Sequence, residues 1–244
     1  MPGNAKAYIS LVSAAGIAVM AYAFLDPPWS HDLFRFGTYL LLSLLAATLK
    51  LRLPGLTGTM SIGFVLVLLS ISELTLPETM LIACAGVVVQ CLWRAKPLPA
   101  SVQVLFSASS VAISVLLAYE CSRLVRTQFH SASVSIVMAV ATCLYFIANS
   151  LLVSGVLSLV KREPFPAIWQ HCYLFAFPYY LLGGAVAGLI AAAGRDFGWK
   201  PALSILPVMG LVYLFYRFYL ARLAALPAAA VSAVSLHAVE TRTA

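Results

Sequence analysis

The sequence predicts an all-α fold, a polytopic integral membrane bundle of about eight transmembrane helices, and three observations carry that expectation. Of the 244 residues, 62% are hydrophobic and only 9% are charged, and the mean hydropathy is +0.97. An ordinary soluble domain is about 45–50% apolar and about 25% charged, so a water-soluble surface cannot be built from this supply. Apolar stretches close to the roughly 20 residues that cross a hydrocarbon core of about 30 Å recur along the chain. They are continuously apolar, whereas the strands of a membrane barrel alternate. The same composition excludes disorder, a collagen-like chain and a nucleic-acid-binding domain. The net charge of +7 and pI near 9.3 come from fifteen Lys and Arg placed in ones and twos between apolar runs, the pattern of topology determinants.

Each span is bounded by charge, Pro or Gly. The eight run approximately Ala7–Phe24, Phe34–Leu49, Thr57–Leu74, Pro77–Trp93, Val102–Glu120, Ser133–Val160, Trp169–Ala193 and Leu203–Leu220. The second is short, and the third is interrupted early by Gly63. Pro178 and Pro207 fall inside the last two, where kinks are expected because neighbouring helices can satisfy the freed carbonyls. Lys6, the first apolar run and Ala21-Tyr22-Ala23 also outline a cleavable signal peptide. The single charge and the run continuing through Phe24 favour a retained span, and cleavage would leave every later loop on the same side. With the N-terminus inside, ten of the fifteen Lys and Arg lie in cytoplasmic segments, which places both termini in the cytoplasm of a bacterial inner membrane. The expected organisation is a transmembrane domain over residues 1–222 and a short cytoplasmic tail over 223–244.

Helical spacing then sorts the polar residues onto faces. The fourth span aligns Thr79, Ala83, Gly86 and Gln90; the fifth, Gln103, Ser107, Ser110 and Ser114; the sixth, Thr142, Tyr145 and Asn149; the seventh, Tyr173, Phe177, Tyr180 and Gly184. Gly184 and Gly188 form a small-xxx-small motif of the kind that lets helices approach closely. Two readings of these faces stay open. In one they are contacts between helices; in the other, Gln90, Gln103, Ser107, Tyr145, Asn149 and Tyr180 line a cavity for a small, mostly apolar ligand. Glu73, Glu78 and Glu120 fall at span ends, where interfacial solvation and an occasional ion pair account for them; cation sensing is the alternative. Arg217 sits between Phe215-Tyr216 and Phe218-Tyr219 as a snorkelling cation in an aromatic belt. Five cysteines form no CxxC pair, and no disulfide framework is expected. The catalytic and cofactor signatures HExxH, GxSxG, the P-loop and GxGxxG are missing, and His31, His130, His171 and His237 form no mid-membrane pair, so no catalytic residue, metal or cofactor is expected.

Three strings carry a resemblance. They are Leu49-Lys-Leu-Arg-Leu-Pro-Gly-Leu-Thr-Gly-Thr-Met-Ser61, Ala83-Cys-Ala-Gly-Val-Val-Val-Gln-Cys-Leu-Trp93 with the following Gln103-Val-Leu-Phe106, and Phe177-Pro-Tyr-Tyr-Leu-Leu-Gly183. Over about residues 5–222 the chain resembles the N-terminal multi-pass membrane module of bacterial signalling proteins with HD-GYP or GGDEF output domains, enzymes of cyclic di-GMP turnover. Ser235-Leu-His-Ala-Val-Glu-Thr241 is similar to the start of the segment that connects to those outputs. Neither set of catalytic residues is present, so the resemblance implies a sensory input module that acts through a cytoplasmic partner, and no nucleotide chemistry is carried over. The short Pro-marked turns are also similar in pattern to substrate-capture subunits of energy-coupling-factor vitamin transporters. That likeness implies a transport subunit docked on another membrane protein. A structural subunit of a membrane complex is the third alternative.

Overall fold

A computed structural model describes residues 2–25, 32–52, 59–129, 133–173, 176–197 and positions 207, 210, 211, 214, 215 and 218. The elements in chain order are α1 (Gly3–Leu25), α2 (Leu33–Thr48), β1 (Lys50–Arg52), β2 (Thr59–Ser61), α3 (Phe64–Glu73), α4 (Leu76–Leu92), α5 (Ser101–Gln128), α6 (Val134–Lys161), α7 (Phe165–Tyr173) and α8 (Phe177–Phe197). The fold is an all-α helical bundle. By length and composition α1, α5, α6 and α8 can each cross a membrane, and α2, α3 and α4 are shorter apolar helices. The eighth expected span lies outside the described residues except for those six positions, which are helical. The tail, Arg217 with Tyr216 and Tyr219 of its belt, Asp26, His31, His130 and the centre of the Lys-Leu-Arg-Leu-Pro-Gly string lie outside them as well.

Two expected spans are corrected. The third is not a helix from Thr57: β2 pairs antiparallel with β1, Lys50 opposite Ser61, and helix begins only at Phe64, after a turn at Gly63. Ten residues of helix rise about 15 Å, half the hydrocarbon core, so α3 cannot cross alone. It is instead enclosed by protein, with every residue from Phe64 to Ile71 buried. Non-helical backbone at membrane depth is tolerated under such cover. The seventh span is divided between α7 and α8 rather than kinked. Pro178 stands in the first turn of α8, where its missing N–H has no intrahelical acceptor to lose.

Around α3, α5 packs against α1, α4 and α6; α6 and α3 pack on α8, and α2 on α4. Small residues set the closest approaches. A Cβ on Gly16 of α1 would stand 2.2 Å from Ser109 Cβ and 2.5 Å from its Cα on α5, and one on Gly184 would meet Thr142 Oγ1 at 2.3 Å on α6. Gly188 is less tight, 3.6 Å from Met138 Cβ. The buried hydroxyls mostly do not bridge helices: Ser70, Ser110, Ser114, Ser122 and Thr142 each donate to the carbonyl four residues back, at 2.6–2.9 Å. Their contribution to packing is small size. Gly16→Ala is therefore expected to force α1 from α5 and to cost about 1–3 kcal/mol, the usual range for overpacking. It should register as a lowered melting temperature in detergent, with Gly188→Ala near neutral.

The acidic span ends do not behave alike. Glu120 forms a largely exposed pair with Arg123 at 2.9 Å. Glu73 Oε2 accepts a 2.6 Å hydrogen bond from the Tyr39 hydroxyl and lies 3.8 Å from Arg35, which also pairs with Asp32 at the start of α2. Glu78 corrects the expectation of interfacial solvation: it is fully buried, and its Oε2 accepts from the Thr75 N–H at 3.0 Å and the Thr75 hydroxyl at 2.8 Å, fastening the start of α4. The Tyr119 hydroxyl and the Arg126 guanidinium of α5 donate to the Leu74 and Ser72 carbonyls of the same turn. The four described cysteines are free thiols.

Candidate functional site

A cavity of about 500 Å³ lies among α2, α3, α4, α5, α6 and α8. Five of the six candidate ligand residues line it: Gln90 from α4, Ser107 from α5, Tyr145 and Asn149 from α6, and Tyr180 from α8. Gln103 does not. It is exposed in the first turn of α5, and its Oε1 accepts the Ala100 N–H at 3.1 Å. The first N–H groups of a helix lack intrahelical partners, and a carboxamide at this position is drawn to one of them rather than to the bundle interior.

The predicted polar faces serve different purposes along their length. On α4 the lining runs from Ala83 through Gly86 to Gln90, about 10 Å of helix. Gln90 is held by the Ser61 hydroxyl of β2, which donates to its Oε1 at 2.9 Å. On α6, Tyr145 and Asn149 face the cavity, while Thr142, one turn earlier, is the residue packed against Gly184. Contact and cavity thus occupy successive stretches of one stripe. The side chain of Tyr173 lies outside the described residues.

An aromatic cluster forms the deep end. The Phe64 ring of α3 stands with its centroid 4.5 Å from that of Tyr180 and 5.1 Å from that of Tyr179, and Tyr145 is 6.2 Å from Tyr180. Asn149 lies close enough to interact with the Tyr180 hydroxyl. The Phe-Pro-Tyr-Tyr string is this wall, delivered by the first turn of α8. Gly183 admits it, since a Cβ there would sit 2.2 Å from Phe64 Cζ.

The other end is basic. Lys50, the first residue of β1, and Arg94 and Lys96, in the α4–α5 loop, line the rim with Pro97 and Pro99. The Lys50 ammonium donates to the Trp93 carbonyl and ties β1 to the end of α4. Arg94 is held in the left-handed region at φ 47°, a conformation that costs a non-glycine residue about 1 kcal/mol or more and tends to persist where surrounding structure requires it. Sequence reasoning missed these three cations and Phe64. The Lys-Leu-Arg-Leu-Pro-Gly string marked the neighbourhood of Lys50, but loop charges carry no periodicity from which a shared rim could be inferred. Among the described residues no cluster of His, Cys, Asp and Glu could hold a metal ion.

Fold and site together define a membrane-embedded helical module built around an internal cavity. The MASE9 family model matches residues 31–191, about two thirds of the chain and all of the cavity lining. The chain belongs to the MASE9 family, a family of membrane-associated sensor domains. No curated protein and no solved structure matches it.

Proposed function

We propose that the chain is a membrane sensor whose cavity binds a small amphiphilic molecule, and that binding selects one packing of the bundle. The last helix would convey that packing to a cytoplasmic output of the cyclic di-GMP class. Membership in a membrane-associated sensor family supports the sensory role. The observation that carries the ligand reading is the convergence of Gln90, Asn149, Tyr145 and Tyr180, from three helices, on one cavity. A few polar groups converging in a mostly apolar wall are the arrangement that orients a small molecule. A packing shift at the α6–α8 contact is a short step from the site, because Thr142 and Gly184 lie one turn beyond Tyr145 and Tyr180.

Mass spectrometry of small molecules released from purified protein tests this. A molecule is expected to co-purify with the native chain, to be lost from Asn149→Leu, and to remain with Gln103→Leu, whose side chain is outside the cavity. A native protein that releases nothing, or equal retention by both variants, would remove the reading.

A further inference from the structure

Resting on that reading, we propose the class of ligand: an anionic amphiphile, its acidic head at the rim formed by Lys50, Arg94 and Lys96, its alkyl part among the valines and aromatics beneath. Among the described residues, the cavity lining contains these three cations and no carboxylate. None of the three takes part in an ion pair among the described residues, although every acid described in the bundle's ion pairs, Asp32, Glu73 and Glu120, has found its Arg. The Trp93 carbonyl holds the Lys50 ammonium in place without neutralising it. The walls also carry Val87, Val111, Val153 and Leu157, with Phe64 at the aromatic end. A wholly polar solute would leave these walls without contacts, and a neutral one would leave the rim cations without a counter-charge. The volume of about 500 Å³ suits a single chain and head, within the range of about 300–1,000 Å³ common for small-molecule sites. A free fatty acid and an anionic phospholipid of the adjoining leaflet share this chemistry, and basic residues at a membrane surface attract both.

The test uses the full chain in phosphatidylcholine nanodiscs and two photoactivatable probes with the same diazirine-bearing dodecyl chain, one ending in a carboxylate and one in an alcohol. Crosslinked peptides are mapped and quantified. The acid is expected to label the cavity segments of α4, α5 and α6 about ten-fold more efficiently than the alcohol, a difference of about 1.4 kcal/mol. The combined variant Lys50→Gln, Arg94→Gln, Lys96→Gln should abolish that preference while alcohol labelling persists, which also reports that it has folded. Competition by added phosphatidylglycerol would identify a leaflet lipid as the source; competition by free dodecanoate alone would identify a soluble acid. Equal labelling of the cavity by acid and alcohol in the native chain overturns the proposal and leaves the cavity reading intact. Labelling confined to lipid-facing positions, and unchanged in the cavity-filling variant Ser107→Trp, overturns both.

Discussion

Glu78→Ala is expected to destabilise the bundle by about 2–4 kcal/mol, while Glu78→Gln stays within about 1 kcal/mol of the native chain. The carboxylate of Glu78 is fully buried and receives both donors of Thr75, at 3.0 Å and 2.8 Å. Losing such a cap costs about 0.5–2 kcal/mol. Leaving a buried donor without a partner costs about 1–3 kcal/mol more. Ala removes the acceptor and leaves a void that lipid cannot enter. Gln keeps an oxygen at the same reach and spares the bundle a buried charge, and it is an accepted residue at this position of a capping box. Urea titration in mixed micelles, or thermal melting followed by tryptophan fluorescence, measures both variants. If Ala and Gln fall together, the charge of Glu78 matters and its geometry does not. The two residues that Tyr119 and Arg126 brace, Leu74 and Ser72, belong to the same turn, so Glu78→Ala should also loosen α5 from α3.

The extent to which this architecture can be read in the chain varies with the range of the forces that fix it. The helices α1, α4, α5 and α6 follow from apolar runs with charge or Pro at their ends, because lipid demands an internally bonded backbone wherever such a run lies. The late start of α3 does not follow. Thr57-Gly58-Thr59-Met60-Ser61 is polar and poor in helix formers, but that its end forms a strand depends on pairing with Lys50–Arg52, which no local pattern announces. Helical spacing assigns Gln90, Ser107, Tyr145, Asn149 and Tyr180 to the polar stripes of their own helices, and all five line the cavity; that the stripes face one another is set by the packing of four helices. It misplaced Gln103 because the stripe continues into the first turn of α5, where orphan N–H groups compete for the side chain. The count of loop charges puts Lys50, Arg94 and Lys96 on one expected side of the membrane and says no more of them. That they share one rim depends on how the ends of α2 and α4 meet.

Phe64 was indistinguishable in sequence from its apolar neighbours, yet its removal is expected to have an effect as large as that of Glu78. In lipid the transfer of a ring from water contributes little, so packing itself must account for the cost. A void on the order of 100 Å³, at about 24 cal/mol per Å³, accounts for about 2 kcal/mol. The ring contacts to Tyr179 and Tyr180, at 5.1 Å and 4.5 Å, add about 0.5–1.5 kcal/mol each. Phe64→Ala should therefore cost about 3–5 kcal/mol. Gly183→Ala should also destabilise, by about 1–3 kcal/mol, because its methyl would meet Phe64 Cζ at 2.2 Å and Cε2 at 2.6 Å. Combined, the two changes should cost clearly less than their sum. With the ring gone the methyl enters the void, and the next nearest atom is Val65 Cγ2, at 3.0 Å. A double-mutant cycle with a coupling of about 1 kcal/mol or more in that direction establishes that Phe64 of α3 and Gly183 of α8 are in direct contact. Strict additivity would mean that α8 reaches the cavity by another route, and Tyr180 would then lose its fixed place in the wall.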